Sequence, residues 1–340
     1  MVFWNNASGT ISNSLIENPQ AFNGAQTGQD LAVDATGGTT STLTVSGVQF
    51  ANWNKNAIDV VTGGGSTSGG GNVTLNVSDS SFAGQGATGL NAQNGIVLWE
   101  RGGGGSAINA TVDHSTFSDI AYTGTDSNAT GILLYGAPTG SLTVKNSTFA
   151  GSVQKYIGTD GGSLVEVDAT TGNIFDGVAQ SGATLDQLFN IENHLVDGTD
   201  NAGNSLVRLK AGQVYVTAAK NSVQNGVSAA AVGDTVNVQA GTYVVSSGCI
   251  NVDKSLNLVG QSQGQVIVDA RNASTYGLRV TASNGPVSIS NLTLYGVTAN
   301  GGYGLKAEAT RGLTLTNITS QGAAKSEFDL NGGSAPRSPT

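Results

Sequence analysis

Cysteine, histidine, methionine and proline are nearly missing from this chain. One cysteine, Cys249, among 340 residues excludes an internal disulfide and any cysteine-built metal site. The two histidines, His114 and His194, lie far apart in sequence, one in a repeated phrase and one in a different kind of segment. Basic residues are also few: 14 Lys and Arg against 23 Asp and Glu give a net charge of −9 and a pI near 4.5. That balance argues against nucleic acid and against anionic membranes, which recruit basic patches. It leaves neutral sugars as compatible partners. No cofactor is expected, and Ca²⁺ is the one ion such acidity would suit. No apolar run approaches ~20 residues, so no membrane-inserted segment is expected. The opening MVFWNNASGT has neither the basic nor the apolar stretch of a signal peptide.

What is abundant is glycine, at 50 residues, alongside Ser, Thr and Asn, while only 11% of residues are charged and five are proline. A disordered linker carries more charge or proline and less Val, Ile and Leu. The composition suits many short strands joined by tight polar turns.

Three phrases repeat: VSDSSFAG at 77–84, VDHSTFSD at 112–119 and VKNSTFAG at 144–151. They belong to a column of large apolar residues, Ile16, Phe50, Phe82, Phe117, Phe149 and Phe175, spaced by 34, 32, 35, 32 and 26. An alternating strand precedes each phrase, as in STLTV (41–45), NVTLNV (72–77), INATV (108–112) and SLTV (141–144). A second strand comes elsewhere in each repeat: DLAVD (30–34), AIDVV (57–61), GIVLW (95–99), GILLY (131–135) and LVEVD (164–168). Units of this length cannot bury a face alone and must stack. Helical repeats would need Leu-, Ala- and charge-rich segments that are absent, so the units are coils of β-strand.

In coil length and pattern, residues 10–178 and 221–330 resemble the pectate-lyase-like right-handed parallel β-helix superfamily, also called pectin lyase-like. The likeness is strongest to repeat segments of large bacterial secreted or adhesin-like proteins. The resemblance implies an all-β, right-handed parallel β-helix, consistent with the preferred hand of parallel crossovers. It also implies Asn ladders at the turns. Asn13, Asp79, His114, Asn146, Asn291 and Asn317 take similar places after their strands, and small polar residues there can bond local backbone. His114 is then one rung.

The repeat stops after NIFDG (173–177). TLDQLFNIENHLVDG (184–198) reads as a helix capped by Thr184, with Leu185, Leu188, Phe189 and Leu195 on one face and Gly198 at its end. SLVRLKAGQVYVT (205–217) looks like strand material. NSVQNGVSAAAVGDTVNVQAGTYVV (221–245) resembles the opening of a new β-helix, with a short helix turning Val223 and Val227 inward. Tyr276-Gly277-Leu278 recurs 27 residues on as Tyr303-Gly304-Leu305. The expected organisation is a first β-helix segment over 1–178, a helical and strand linker over 179–220, a second segment over 221–330 and a flexible tail over 331–340. The chain reads as a piece of a longer exported protein, since it opens in mid-coil.

Chemistry-bearing motifs are scarce. Asp113-His114 looks like the Asp-His phrase of pectate lyases, but that family also needs an Arg-x-Pro-x-x-Arg run, which the six arginines do not form. Sister coils replace the pair with Ser78-Asp79 and Lys145-Asn146, which favours a turn over a catalyst. The second strand column is a better candidate. Its outward positions are expected to carry Asp34, Val61, Trp99, Tyr135 and Asp168, and the neighbouring column Ala32, Asp59, Val97, Leu133 and Glu166. Trp99 and Tyr135 should then be near neighbours, because coils of a parallel sheet repeat at roughly 4.8 Å. Glu100 and Arg101 adjoin Trp99. Aromatic faces beside carboxylates suit sugar rings, whose C–H faces stack while hydroxyls find acceptors.

Trp99, Tyr135, Glu100, Arg101, Asp34 and Asp168 are therefore the candidate ligand-binding residues, and Asp59, Glu166 and Asp113 the weaker catalytic candidates. The expected function is a non-catalytic secreted or surface β-solenoid, adhesin-like, whose partner is a polysaccharide or cell-surface glycan. The alternative is a polysaccharide-active lyase, glycoside hydrolase or epimerase using carboxylates near Trp99 and Tyr135. A phage tailspike-like glycan binder is a third reading.

Overall fold

A computed structural model describes residues 1–17, 28–63, 70–88, 91–101, 106–124, 129–136, 138–161, 166–220, 222–308 and 310–330. Residues 64–69 of the glycine-rich stretch, Leu164 and Val165 of the LVEVD phrase and the tail over 331–340 lie outside this set. The chain is a parallel β-helix in two compact units, Met1–Gly198 with Gly203–Lys210, and Thr199–Ala202 with Ala211–Thr340.

The first unit winds three strands per coil into three seven-stranded sheets. Sheet A contains Gln29–Ala35, Asn56–Thr62, Asn94–Glu100, Thr130–Tyr135 and Lys155–Asp160, flanked by Val2–Trp4 and Leu195–Val196. Sheet B runs from Gly9–Ser12 through Thr40–Ser46, Asn72–Ser78, Ala107–Asp113 and Thr139–Lys145 to Val167–Thr171 and Val207–Arg208. Sheet C is built from short strands that carry the apolar column. Ile16 pairs with Phe50, Phe50 with Phe82, Phe82 with Phe117, Phe117 with Phe149 and Phe149 with Phe175, all in parallel. The rings of the five phenylalanines stack at 4.9, 4.7, 4.7 and 5.2 Å with planes within 10°. Alternation does the rest of the burial: in NVTLNV, Val73, Leu75 and Val77 are 1% exposed or less, while Thr74 and Asn76 face outward.

The repeated phrases are turn chemistry. Asn13, Asp79, His114 and Asn146 have φ of 47°, 51°, 45° and 49°, and Gly47 and Gly172 fill the same column in coils that use glycine. Each is the left-handed corner that swings the chain from sheet B into sheet C. Asn and Asp tolerate that conformation, and glycine adopts it freely. The amides climb the column in step: Asn13 N–H donates to Ser46 O, Gly47 to Ser78, Asp79 to Asp113, His114 to Lys145 and Asn146 to Thr171. The next residue forms a buried ladder that the sequence reading did not anticipate. The Ser80, Ser115 and Ser147 hydroxyls donate to carbonyls two residues back. They also accept from the N–H of Val48, Ser80 and Ser115, one coil earlier. Because His114 sits at φ 45° for backbone reasons, His114→Asn should leave stability within ~0.5 kcal/mol, while His114→Val should cost about 1–3 kcal/mol in urea unfolding. Equal costs for both substitutions would remove the turn explanation.

The helical and strand stretch over 179–220 is divided between the two units. Thr184 caps the helix Leu185–Glu192 through a complete capping box with Gln187. The helix stops there rather than reaching Gly198, because Leu195–Val196 is taken up as a strand beside Ile157–Gly158 of sheet A. Val207–Arg208 adds to sheet B. Gln213–Val216 belongs instead to the second unit, where it pairs with Thr235–Val238.

That second unit has two sheets. Gln213–Val216, Thr235–Val238, Asn257–Gly260 and Val287–Tyr295 lie side by side, with Val266–Asp269 paired to the far half of Val287–Tyr295 and Gly241–Val244 beyond it. Leu313–Gln321 pairs along the whole of that long strand. The other sheet holds Ile250–Val252, Tyr276–Val280, Tyr303–Ala307 and Ser326–Asp329, with Tyr276 opposite Tyr303 and Leu278 opposite Leu305. The helix Val223–Ala229 buries Val223 and Val227 against this unit's strands. No helix among the described residues is long and apolar enough to cross a membrane.

Candidate functional site

The outward side of sheet A in the first unit carries a hollow of about 350 Å³. Register builds it. Asp34 pairs with Val61, Val61 with Trp99, and Trp99 with Tyr135; one column over, Ala32 pairs with Asp59, Asp59 with Val97, and Val97 with Leu133. Two rings from coils 36 residues apart thus meet edge to face, with centroids 5.6 Å apart and planes at 73°. Val97 and Leu133 form an apolar wall, and Gln29, Lys55, Asn56 and Asn94 complete the lining. The Arg101 guanidinium lies over the Trp99 ring, 4.5 Å from its centroid.

Asp59 is the chemical centre of the hollow. It is 7% exposed. The donors around it run in a relay: Thr130 N–H donates to Asn94 Oδ1 at 3.2 Å, and Asn94 Nδ2 to Asn56 Oδ1 at 3.0 Å. The Asn56 amide bonds Asp59, and Gln29 Nε2 donates to Asp59 Oδ2 at 3.2 Å. Asp59 Oδ1 has no hydrogen-bond partner, and neither has Asp34 Oδ1. Burial pushes the Asp59 carboxyl up to about 6, helped by the nearby Asp34 charge and opposed by the Gln29 and Asn56 hydrogen bonds and by Arg101. Burial also raises Asp34, with Arg101 pulling the other way.

Of the sequence candidates, Trp99, Tyr135, Arg101, Asp34 and Asp59 come together. Four others do not. Glu100 follows the alternation of its strand to the opposite side from Trp99 and is 8% exposed with Oε1 buried and unpaired. Asp168 and Glu166 are misplaced by the expected register, because the sixth coil is short. Its sheet A strand is Lys155–Asp160, so Asp160 stands beside Tyr135, and Val167–Thr171 belongs to sheet B. Asp168 there accepts from Thr170, and Glu166 forms a two-pronged ion pair with Arg208 at 2.7 and 2.9 Å. Asp113 lies at the turn from sheet B to sheet C, 2.7 Å from His114 and bonded by Asn146. Burial works against its ionised form, yet the Asn146 hydrogen bond, His114 and Lys145 hold its carboxyl below the usual range. Such a group is a satisfied surface anion.

Sequence reasoning missed Gln29, Lys55, Asn56 and Asn94. The signal was present as a recurring start, NAI at 56–58, NGI at 94–96 and TGI at 130–132, where the first residue forms the amide relay. Among the described residues no three of His, Cys, Asp and Glu cluster as a metal ion would need. A second hollow of about 290 Å³ in the other unit borders Cys249, whose thiol is raised by burial and is thereby less nucleophilic.

No family model matches the chain, and no curated protein matches it in sequence. A mutant of the PL6 family alginate lyase AlyGC is similar in structure, at 12% identity over 94% of this chain and 73% of that one, with a TM-score of 0.26. The parallel β-helix fold stands on the chain's own sheets and registers.

Proposed function

We propose that this chain is a non-catalytic β-solenoid that binds glycan in the hollow on sheet A, as part of a secreted or surface-displayed, adhesin-like protein. The observation that carries the reading is the meeting of Trp99 and Tyr135, brought from separate coils onto the rim of a hollow whose wall is a buried carboxylate in an amide relay. Aromatic rings supply stacking area for the C–H faces of a sugar, and the polar wall fixes its hydroxyls. Two further facts favour binding over turnover. Asp113 is spent in a surface turn, and Glu166 in an ion pair, so neither supplies a second acid or base to Asp59.

Glycan-array and affinity-electrophoresis measurements test the reading. The protein should be retained by at least one polysaccharide, and Trp99→Ala should weaken retention tenfold or more, in line with a stacking contact of about 1–3 kcal/mol. No reducing ends and no unsaturated products should accumulate. Steady product release that disappears in Asp59→Asn would replace binding with catalysis, and unaltered retention by Trp99→Ala would remove the aromatic rim from the site.

A further inference from the structure

We infer that the hollow takes a neutral, hydroxyl-rich sugar, and that Asp59 Oδ1 is the acceptor waiting for one of its hydroxyl protons. The inference rests on the glycan reading above and follows from counting which hydrogen-bonding valences the protein leaves unfilled.

The donors around Asp59 are already committed. Gln29 Nε2 is used on Asp59 Oδ2, Asn94 Nδ2 on Asn56 Oδ1, and the Asn56 amide on Asp59. Arg101 lies on the Trp99 ring and acts electrostatically on both Asp34 and Asp59. Lys55 has a partner of its own. Among the buried side-chain atoms at the hollow, those left without a partner are acceptors: Oδ1 of Asp59 and, beside it, Oδ1 of Asp34. Asp59 is itself more than nine-tenths buried on the wall of the hollow. Asp59 Oδ1 is itself shielded from solvent, so a ligand hydroxyl reaches it through rotation about the soft terminal torsion. A buried acceptor with no partner is costly to leave so, and the ligand that relieves it must bring a donor.

Three classes of sugar could bring one. A uronate adds a carboxylate, which meets the Asp59 carboxylate on the wall, Asp34 close by and a chain of net charge −9. An amino sugar adds an ammonium group, which meets Lys55 and Arg101 in the same lining. A neutral sugar brings O–H donors with no charge cost, its apolar face toward Val97, Leu133 and the two rings. Its hydroxyl bond to the ionised Asp59 is charge-assisted and roughly twice as strong as to a neutral acceptor. Lys55 and Arg101 are the charged groups that line the hollow with Asp59, and Asp34 and Arg101 act on its carboxyl through their charge.

The test is isothermal titration of the full chain at pH 7.5 and at pH 5 with three probes of equal length: a neutral set (cello-, xylo- and mannohexaose), oligogalacturonate and chitosan hexamer. A neutral oligosaccharide should bind most tightly at pH 7.5 and weaken severalfold at pH 5, as Asp59 takes up its proton. Asp59→Asn, close to isosteric, should bind about tenfold more weakly at pH 7.5 and lose most of the pH dependence. Tighter binding of oligogalacturonate or chitosan, still lost in Trp99→Ala, overturns the neutral class while leaving the glycan site standing. No binding of any probe overturns both.

Discussion

Phe117→Ala should lower the stability of the first unit by about 4 kcal/mol. Phe117 is 1% exposed and lies between two parallel rings, Phe82 and Phe149, each 4.7 Å away. Truncation removes both stacking contacts as well as the transfer energy of the ring. The surroundings cannot collapse into the space. A Cβ built on Gly95 would stand 3.1 Å from the Phe117 ring, so that ring rests on bare backbone of sheet A. Backbone held in a parallel ladder on both sides does not move inward to fill a void. The cost therefore lies near the upper part of the range for buried aromatics. Ile16 occupies the same column but is only half-buried and has a neighbour on one side alone. Ile16→Ala should cost less than half as much. Urea unfolding followed by far-ultraviolet circular dichroism compares the two. A loss under 1 kcal/mol for Phe117→Ala would mean that the ring column is not the core of these coils.

Those coils were legible in the sequence because their signal is periodic at two levels. Alternation within NVTLNV and INATV set the inward faces, and the recurring phenylalanines set which residues three dozen positions apart touch. Every link of the column from Ile16 to Phe175 is in register. The positions after the strands were legible as turns: Asn317 does donate its side-chain amide to Asn291, as a ladder would, and in the first unit the backbone carries most of the work. Asn13, Asp79, His114 and Asn146 share a positive φ, and Gly47 and Gly172 serve the same corner with no side chain at all. The candidate site was half legible. Trp99, Tyr135, Asp34 and Asp59 fell on the right strand columns because DLAVD, AIDVV, GIVLW and GILLY are each recognisable strands, although the steps between them run 27, 38 and 36. The column failed at the sixth coil, where the step from Phe149 to Phe175 drops to 26 residues. LVEVD has the alternation of an outward strand in either sheet, and no local pattern separates sheet A from sheet B. Only pairing does: Val167 stands beside Leu142, and the sheet A place is held by KYIGTD, which carries a glycine and reads weakly as strand. The helix boundary failed for a similar reason. Leu195 fits the apolar face of the helix, yet sheet A offers it a ladder, and tertiary pairing overrode helical period.

Asp59→Asn should make the protein more stable at pH 7.5, by about 1–3 kcal/mol, while weakening its hold on sugar. The sign follows from linkage. The folded-state carboxyl is pushed up to about 6 from an ordinary value near 3.8, chiefly by burial. Below the unfolded value both states are protonated, and the folded state carries no charge penalty. As pH rises toward 6 the unfolded chain has already lost its proton while the folded one still holds it, so stability falls. Above 6 the full penalty is present: roughly two units at about 1.4 kcal/mol each sets the upper limit of the gain. Asp30, raised to about 7 by burial, bends the curve the same way and somewhat further. The carboxyls that lie below their ordinary values, Asp113 and Asp269, lose their contribution only in more acid solution and leave the window between pH 5 and 7.5 to the raised carboxyls, of which Asp34 is a third. The unaltered protein should therefore be more stable at pH 5 than at pH 7.5, against the usual trend of acid lability, and Asp59→Asn should narrow that difference. Urea midpoints at the two pH values measure it. A variant less stable than the parent at pH 7.5 would show that the Gln29 and Asn56 hydrogen bonds outweigh burial. The combination is what separates a site from a scaffold: a carboxylate whose removal helps the fold and harms the ligand is kept at a cost to stability, as functional groups commonly are.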